Sequence, residues 1–215
     1  MKIDKKFLVG IIILIILPII ASIIFYPKLP EKVATHWNAA GEPDGYSSRF
    51  FGAFFLPIFL IFIDALLIFI PMIDPLRENI IKFKDYYYGF IVVFTLFMFV
   101  VHLWTLLWNV GIKTSINFVI PVLMGCLFYY VGVLLGKAQR NWFIGIRTPW
   151  TLSSDDVWEK THKLGATLFK ICGILSIIGS LFTKYSILFV LIPILATSVV
   201  LIVYSYFEYQ KENKV

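Results

Sequence analysis

Charge is what this sequence has least of. Asp, Glu, Lys and Arg make up 15% of its residues and apolar types 60%, where an ordinary soluble domain carries roughly 25% charged residues. There is too little polar surface to wrap a core in water, which excludes a soluble globular domain. Cysteine is almost missing too: Cys126 and Cys172 both lie inside apolar stretches, where a lone thiol packs as a small hydrophobe. That argues against a disulfide framework or a zinc-type cysteine pair. His-Glu-x-x-His, Gly-x-Ser-x-Gly and phosphate-loop motifs are absent, so nothing requires catalysis or a cofactor, and the chain reads as a non-enzyme.

What is present in abundance is long apolar runs. Residues 7–26, 50–73, 89–108, 117–136, 166–182 and 186–207 each approach the length of about 20 residues that an α-helix needs to cross a bilayer. The expected fold is an all-α, polytopic membrane protein: six transmembrane helices in one bundle over residues 1–215, with a polar loop at 27–49 and a polar segment at 137–165. The first run follows a basic start and could be a signal peptide, but no small-x-small cleavage site follows Ala21, so a retained helix is favoured.

The net charge of +6 invites a nucleic-acid reading, but the basic residues fall in short clusters between spans rather than on one face, so no direct nucleic-acid contact is expected. They orient the chain instead. With the N-terminus inside, 13 Lys and Arg, including Lys2 and Lys214, fall on the inner side and 5 on the outer, with Lys170 inside the fifth span. The expectation is a multi-pass cell-membrane protein with both termini cytoplasmic, the 27–49 loop outside and the 137–165 segment inside.

That inner segment carries the densest set of specific residues. Gly145 permits a tight bend and Pro149 holds Thr148 extended, so Phe143 to Trp150 should cross the inner face as irregular chain. Ser153 or Ser154 followed by Asp155 and Asp156 marks a helix start. Asp155, Trp158, His162 and Gly165 share one face of that helix, and Glu159 and Lys163 are placed to pair. The expectation is a short amphipathic helix lying in the cytoplasmic interface between helices four and five, anchored by Trp142, Trp150 and Trp158. Candidate contact residues for a ligand or partner are Arg140, Asn141, Trp142, Gly145, Arg147, Thr148, Pro149, Trp150, Trp158 and His162. Arg147 beside a rigid turn and an indole suits a carboxylate or phosphate; the alternatives are topology and anchoring for the arginines and a packing role for His162.

In the outer loop, His36, Asn38, Gly41 and Asp44 are candidate recognition residues within turn-forming chemistry, and a compact cap with Trp37 and Tyr46 at the interface is the plainer reading. His36, Glu42 and Asp44 make too weak a ligand set to name a metal. Asp64, His102 and Lys170 lie within spans, where ionisable groups face the bundle interior; Asp64 and Lys170 are close enough in depth to pair, or Lys170 snorkels to the inner interface. Gly132-x-x-x-Gly136 offers a close helix contact.

The run Asn141 to Ser153, followed by Val157-Trp158 and Thr161-His162, resembles the signature of the SdpI family of membrane proteins. Thr35 to Asn38 with Gly41 to Gly45 resembles the small domain of unknown function that often precedes it. This resemblance implies immunity to a secreted toxin peptide, with a signal relayed by holding a transcriptional repressor at the membrane. The implied partners are the lipid bilayer, such a peptide and such a repressor. A small transporter or lipid-binding protein using Asp64, Lys170 and Arg147 is the alternative from the residues themselves.

Overall fold

The computed structural model describes residues 4–212, so Lys2 and Lys214 lie outside the described residues. Among the described residues, six helices are long and apolar enough to cross a membrane: α1 (Lys5–Phe25), α2 (Arg49–Ile73), α4 (Lys84–Asn109), α5 (Ile116–Leu135), α7 (Asp155–Gly179) and α8 (Ser186–Glu212). Two short helices, α3 (Arg77–Lys82) and α6 (Pro149–Ser153), sit in the connections. Large apolar side chains such as Ile12, Phe62 and Leu195 point outward from the spans, as expected where lipid rather than water is the solvent.

The spans form two sets of three. Helices α1, α2 and α4 pack on one another, as do α5, α7 and α8, and α4 against α5 joins the halves. In the second half, α5 and α7 approach backbone to backbone. A Cβ on Gly132 would lie 2.7 Å from the Ala166 carbonyl, and one on Gly173 would lie 2.6 Å from the Gly125 carbonyl. Without a hydrophobic drive between helices in lipid, such close packing supplies the association. The anticipated contact through Gly132 and Gly136 is present, with Ala166 facing both.

Two expectations are corrected. Residues 155–165 are not a separate interfacial helix: α7 runs unbroken through the apolar stretch, because Ser154 caps it, Asp155 and Asp156 sit in its first turn, and nothing breaks it before Ser180. Gly165 is tolerated mid-helix because Ile146 packs where its side chain would be. Nor is the outer segment only loop. Strands β1 (Lys32–Trp37) and β2 (Pro43–Ser48) form an antiparallel hairpin, an exception to the all-helical reading. Its register slips between Ala34 and His36 and again before Trp37, so Val33 and Ala34 are buried consecutively and the alternation that marks a strand is lost.

The α5–α7 contact makes a direct prediction. Gly173→Val should lower the thermal midpoint of the detergent-solubilised protein, by the equivalent of about 2–3 kcal/mol for overpacking. Gly10→Ala, where a Cβ meets nothing within 4 Å, should leave it unchanged. Equal midpoints for the two variants would rule out the close contact.

Candidate functional site

Between α5 and α6 the chain is irregular, so its peptide groups need partners other than helical ones. Asn141 supplies four. Its buried side chain donates to the Gln139 and Ile144 carbonyls at 2.8 and 2.9 Å and accepts from the Phe143 and Ile144 N–H groups at 2.9 and 2.6 Å. Asp74, just past α2, accepts from Trp142 N–H at 2.9 Å, and Asn79 on α3 donates to the Arg140 carbonyl at 2.8 Å.

Helix α7 clamps the loop from the other side. The Trp158 indole donates to the Ala138 carbonyl at 2.9 Å, and Ile146 N–H donates to His162 Nε2 at 3.0 Å. With Nε2 accepting, the proton is on Nδ1, which donates to the Trp158 carbonyl at 2.8 Å. The Trp158 and His162 rings stack with centroids 3.9 Å apart. Gly145 passes over this stack with φ of 122°, and a Cβ there would sit 2.4 Å from His162 Nε2. Glycine is required twice, for its backbone conformation and for the space. Thr148 and Thr151 cap α6 reciprocally, and the Thr148 hydroxyl meets Ser205 of α8 at 3.0 Å.

These placements sort the candidates. Asn141, Gly145, Thr148, Trp158 and His162 are spent on holding the loop, so His162 has the packing role. Trp158, 2% exposed, is a core residue and not an interfacial anchor. Pro149 opens α6, and Trp150 packs edge-on to Tyr206 at 5.2 Å. Arg140 pairs with Asp155 at 2.6 Å and donates to the Leu152 carbonyl. Glu159 and Lys163 do not pair among the described residues; the i,i+4 bridge of this helix is Asp156–Lys160 at 2.6 Å, extended to Glu208. Trp142, Phe143 and Arg147 remain exposed. Arg147 donates to the Trp142 carbonyl at 2.8 Å and has no ion pair among the described residues.

At the opposite end the hairpin lies on α2 and α4. Asn38 holds its turn by accepting from the Ala40 and Glu42 N–H groups, and Gly41 takes a φ of 82°. His36 and Asp44 pair through Nδ1 at 2.5 Å in solvent, where such a bridge adds little stability. Glu42 bonds Asn38 instead of joining them. Asn109, at the end of α4, bonds both the N–H and the carbonyl of Ala34 at the slipped register, at 2.8 and 3.0 Å. Beneath the hairpin is a cavity of about 450 Å³ walled by Trp37, Phe51, Phe55, His102 and Trp104.

His102 is buried against Ser22 at 2.8 Å, and the Ser22 hydroxyl also reaches the Ala53 carbonyl, tying α1, α2 and α4. Asp64 does not meet Lys170. It is buried on α2 with the Thr95 hydroxyl 3.1 Å from both its oxygens, while Lys170 is on α7 in the other half of the bundle. Cys172 meets Thr197, and Cys126 is exposed on α5. The sequence carries no signal for these roles of Asp74, Asn79 and Asn109: Asp74 and Asn109 sit at helix ends, where an Asn or Asp ordinarily reads as a cap, and Asn79 lies within the short α3.

Residues 137–206 match the SdpI/YfhL protein family model, and residues 13–61 match a domain of unknown function, DUF1648. Over residues 137–206 the chain is similar to the SdpI/YfhL family. It is 28% identical over 210 residues to the immunity protein SdpI of Bacillus subtilis strain 168, covering 97% of this chain and 98% of that protein. No solved structure matches. The SdpI/YfhL match contains the clamped loop, α7 and most of α8; the DUF1648 match contains the hairpin and the facing parts of α1 and α2.

Loop stability and loop surface should therefore separate. Asn141→Ala strips four peptide partners and should cost about 3 kcal/mol, read as a lower thermal midpoint and faster proteolysis between residues 139 and 148. Arg147→Ala, on an exposed side chain, should stay within about 0.5 kcal/mol of the parent.

Proposed function

We propose that this protein is a multi-pass immunity protein of the cell membrane that protects against a secreted antimicrobial peptide, with the hairpin outside and both termini in the cytoplasm. The similarity to an immunity protein along 97% of the chain carries this reading, and the excess of Lys and Arg at the loop end supports the orientation. The peptide meets the hairpin end. There the aromatic-walled cavity has the size of a small-ligand site and an apolar lining that accepts a hydrophobic side chain. The His36–Asp44 pair at its rim offers polar groups to the peptide backbone.

The loop end meets a cytoplasmic partner, a transcriptional repressor held at the membrane. Exposed Trp142 and Phe143 beside an arginine with no ion pair form the kind of patch that anchors protein interfaces. A transport role has less support, because Asp64 bonds Thr95 rather than Lys170.

Survival of a peptide-sensitive host tests the reading at matched membrane levels of protein. The intact chain should raise survival over an empty vector, and Asp44→Ala should reduce the protection. Arg147→Ala should weaken capture of the cytoplasmic partner by about tenfold or more, the loss of one interface anchor. An intact chain that fails to protect against a panel of membrane-active peptides would overturn the proposal.

A further inference from the structure

A cleft of about 740 Å³ opens at the loop end between α3, the end of α5 and the first turns of α7. Five cations line it against two carboxylates. Arg140 and Asp155 neutralise each other. Among the described residues, Lys82 is occupied only by Asn79 and Lys137 only by the face of Tyr86. Lys163 and Lys170 have no ion-pair partner among the described residues, and Glu159 is the one carboxylate left to balance four lysines.

The cleft is shaped for these charges. Lys163 and Lys170 are two turns apart on one face of α7. Side chains on a helix lean toward its N-terminus, here the loop end, so the Lys170 stem runs out of the apolar region toward Lys163. Gly132 makes room for it: a Cβ there would lie 2.8 Å from Lys170 Cγ. The stem is thereby held in the α5–α7 groove rather than left to lipid. Both lysines line the cleft on either side of Ala166, where α7 leaves the apolar stretch and a span meets the lipid headgroups.

We propose that this cleft binds the phosphate of an anionic phospholipid from the leaflet at the loop end, held by Lys163 and Lys170 with Lys137 on the facing wall. Unbalanced lysines at headgroup depth select a phosphate with no compensating cation of its own, and each contributes attraction to an anionic lipid. This site is independent of the immunity reading and of the exposed Trp142–Phe143–Arg147 patch.

The test uses the purified, delipidated full-length chain in detergent, titrated with phosphatidylglycerol or phosphatidylcholine and read by native mass spectrometry. Phosphatidylglycerol should bind several-fold more tightly. Lys163→Gln with Lys170→Gln should cost about 30-fold in that affinity, the effect of removing two lysines near an anionic surface. Lys163→Arg with Lys170→Arg should retain it. Equal binding of the two lipids, or undiminished binding by the glutamine variant at an unchanged thermal midpoint, would overturn the proposal. Displacement of phosphatidylglycerol by millimolar inorganic phosphate would assign the cleft to free phosphate and overturn the lipid assignment.

Discussion

The hydrogen bond from Ile146 N–H to His162 Nε2 is where the two structural demands on the loop end meet. An irregular chain at the edge of a bilayer cannot rely on water to satisfy its peptide groups, and each one left unpaired costs about 1–3 kcal/mol. Accepting at Nε2 forces the proton onto Nδ1, which then reaches back to the Trp158 carbonyl one turn earlier. That fixes the ring plane, the ring plane fixes the stack with Trp158, and the stack leaves a gap only glycine fills at position 145. Asn141, Asp74, Asn79 and Arg140 complete the same task from other elements. The loop is irregular in backbone but has little freedom in shape.

The hairpin end solves the same problem with different residues. Asn109 supplies both a donor and an acceptor to the Ala34 peptide groups beside the slipped register, and Asn117 reaches the Ala39 carbonyl from the start of α5. Trp37 lies between Trp104 and Trp108, so the hairpin is seated by aromatic packing as well as by peptide contacts. Polar side chains on helix ends thus act as surrogates for missing backbone partners at both faces, while small residues set the distance between spans.

Much of this was legible beforehand. Apolar run length located six spans, because in lipid the hydrophobic length of a helix is set by the bilayer alone. The signature residues could be named as a group, and Gly145 and Pro149 could be read as backbone devices, because their effects are local. Three things were not legible. Continuity of α7 through residue 165 was hidden by its polar first turns, which look interfacial until the packing of Trp158 and His162 against the loop is known. The hairpin was hidden because its slipped register erases period-two alternation. The separation of Asp64 from Lys170 is a property of helix arrangement, which depth along a span does not determine.

The division of labour within the signature changes what its residues can be asked to explain. A cluster of Asn, Trp, Gly, Thr and His between Asn141 and His162 invites a catalytic or ligand-binding reading, yet most of these side chains have their polar atoms occupied by the loop itself. What remains for recognition is what folding leaves unused: Trp142, Phe143 and most of the donors of Arg147. Helix α4 touches both working ends, holding β1 through Asn109 and entering the cluster around Ile144 and Trp158 through Tyr87, Tyr88 and Ile91. The hairpin and the loop are thus packed against opposite ends of one helix.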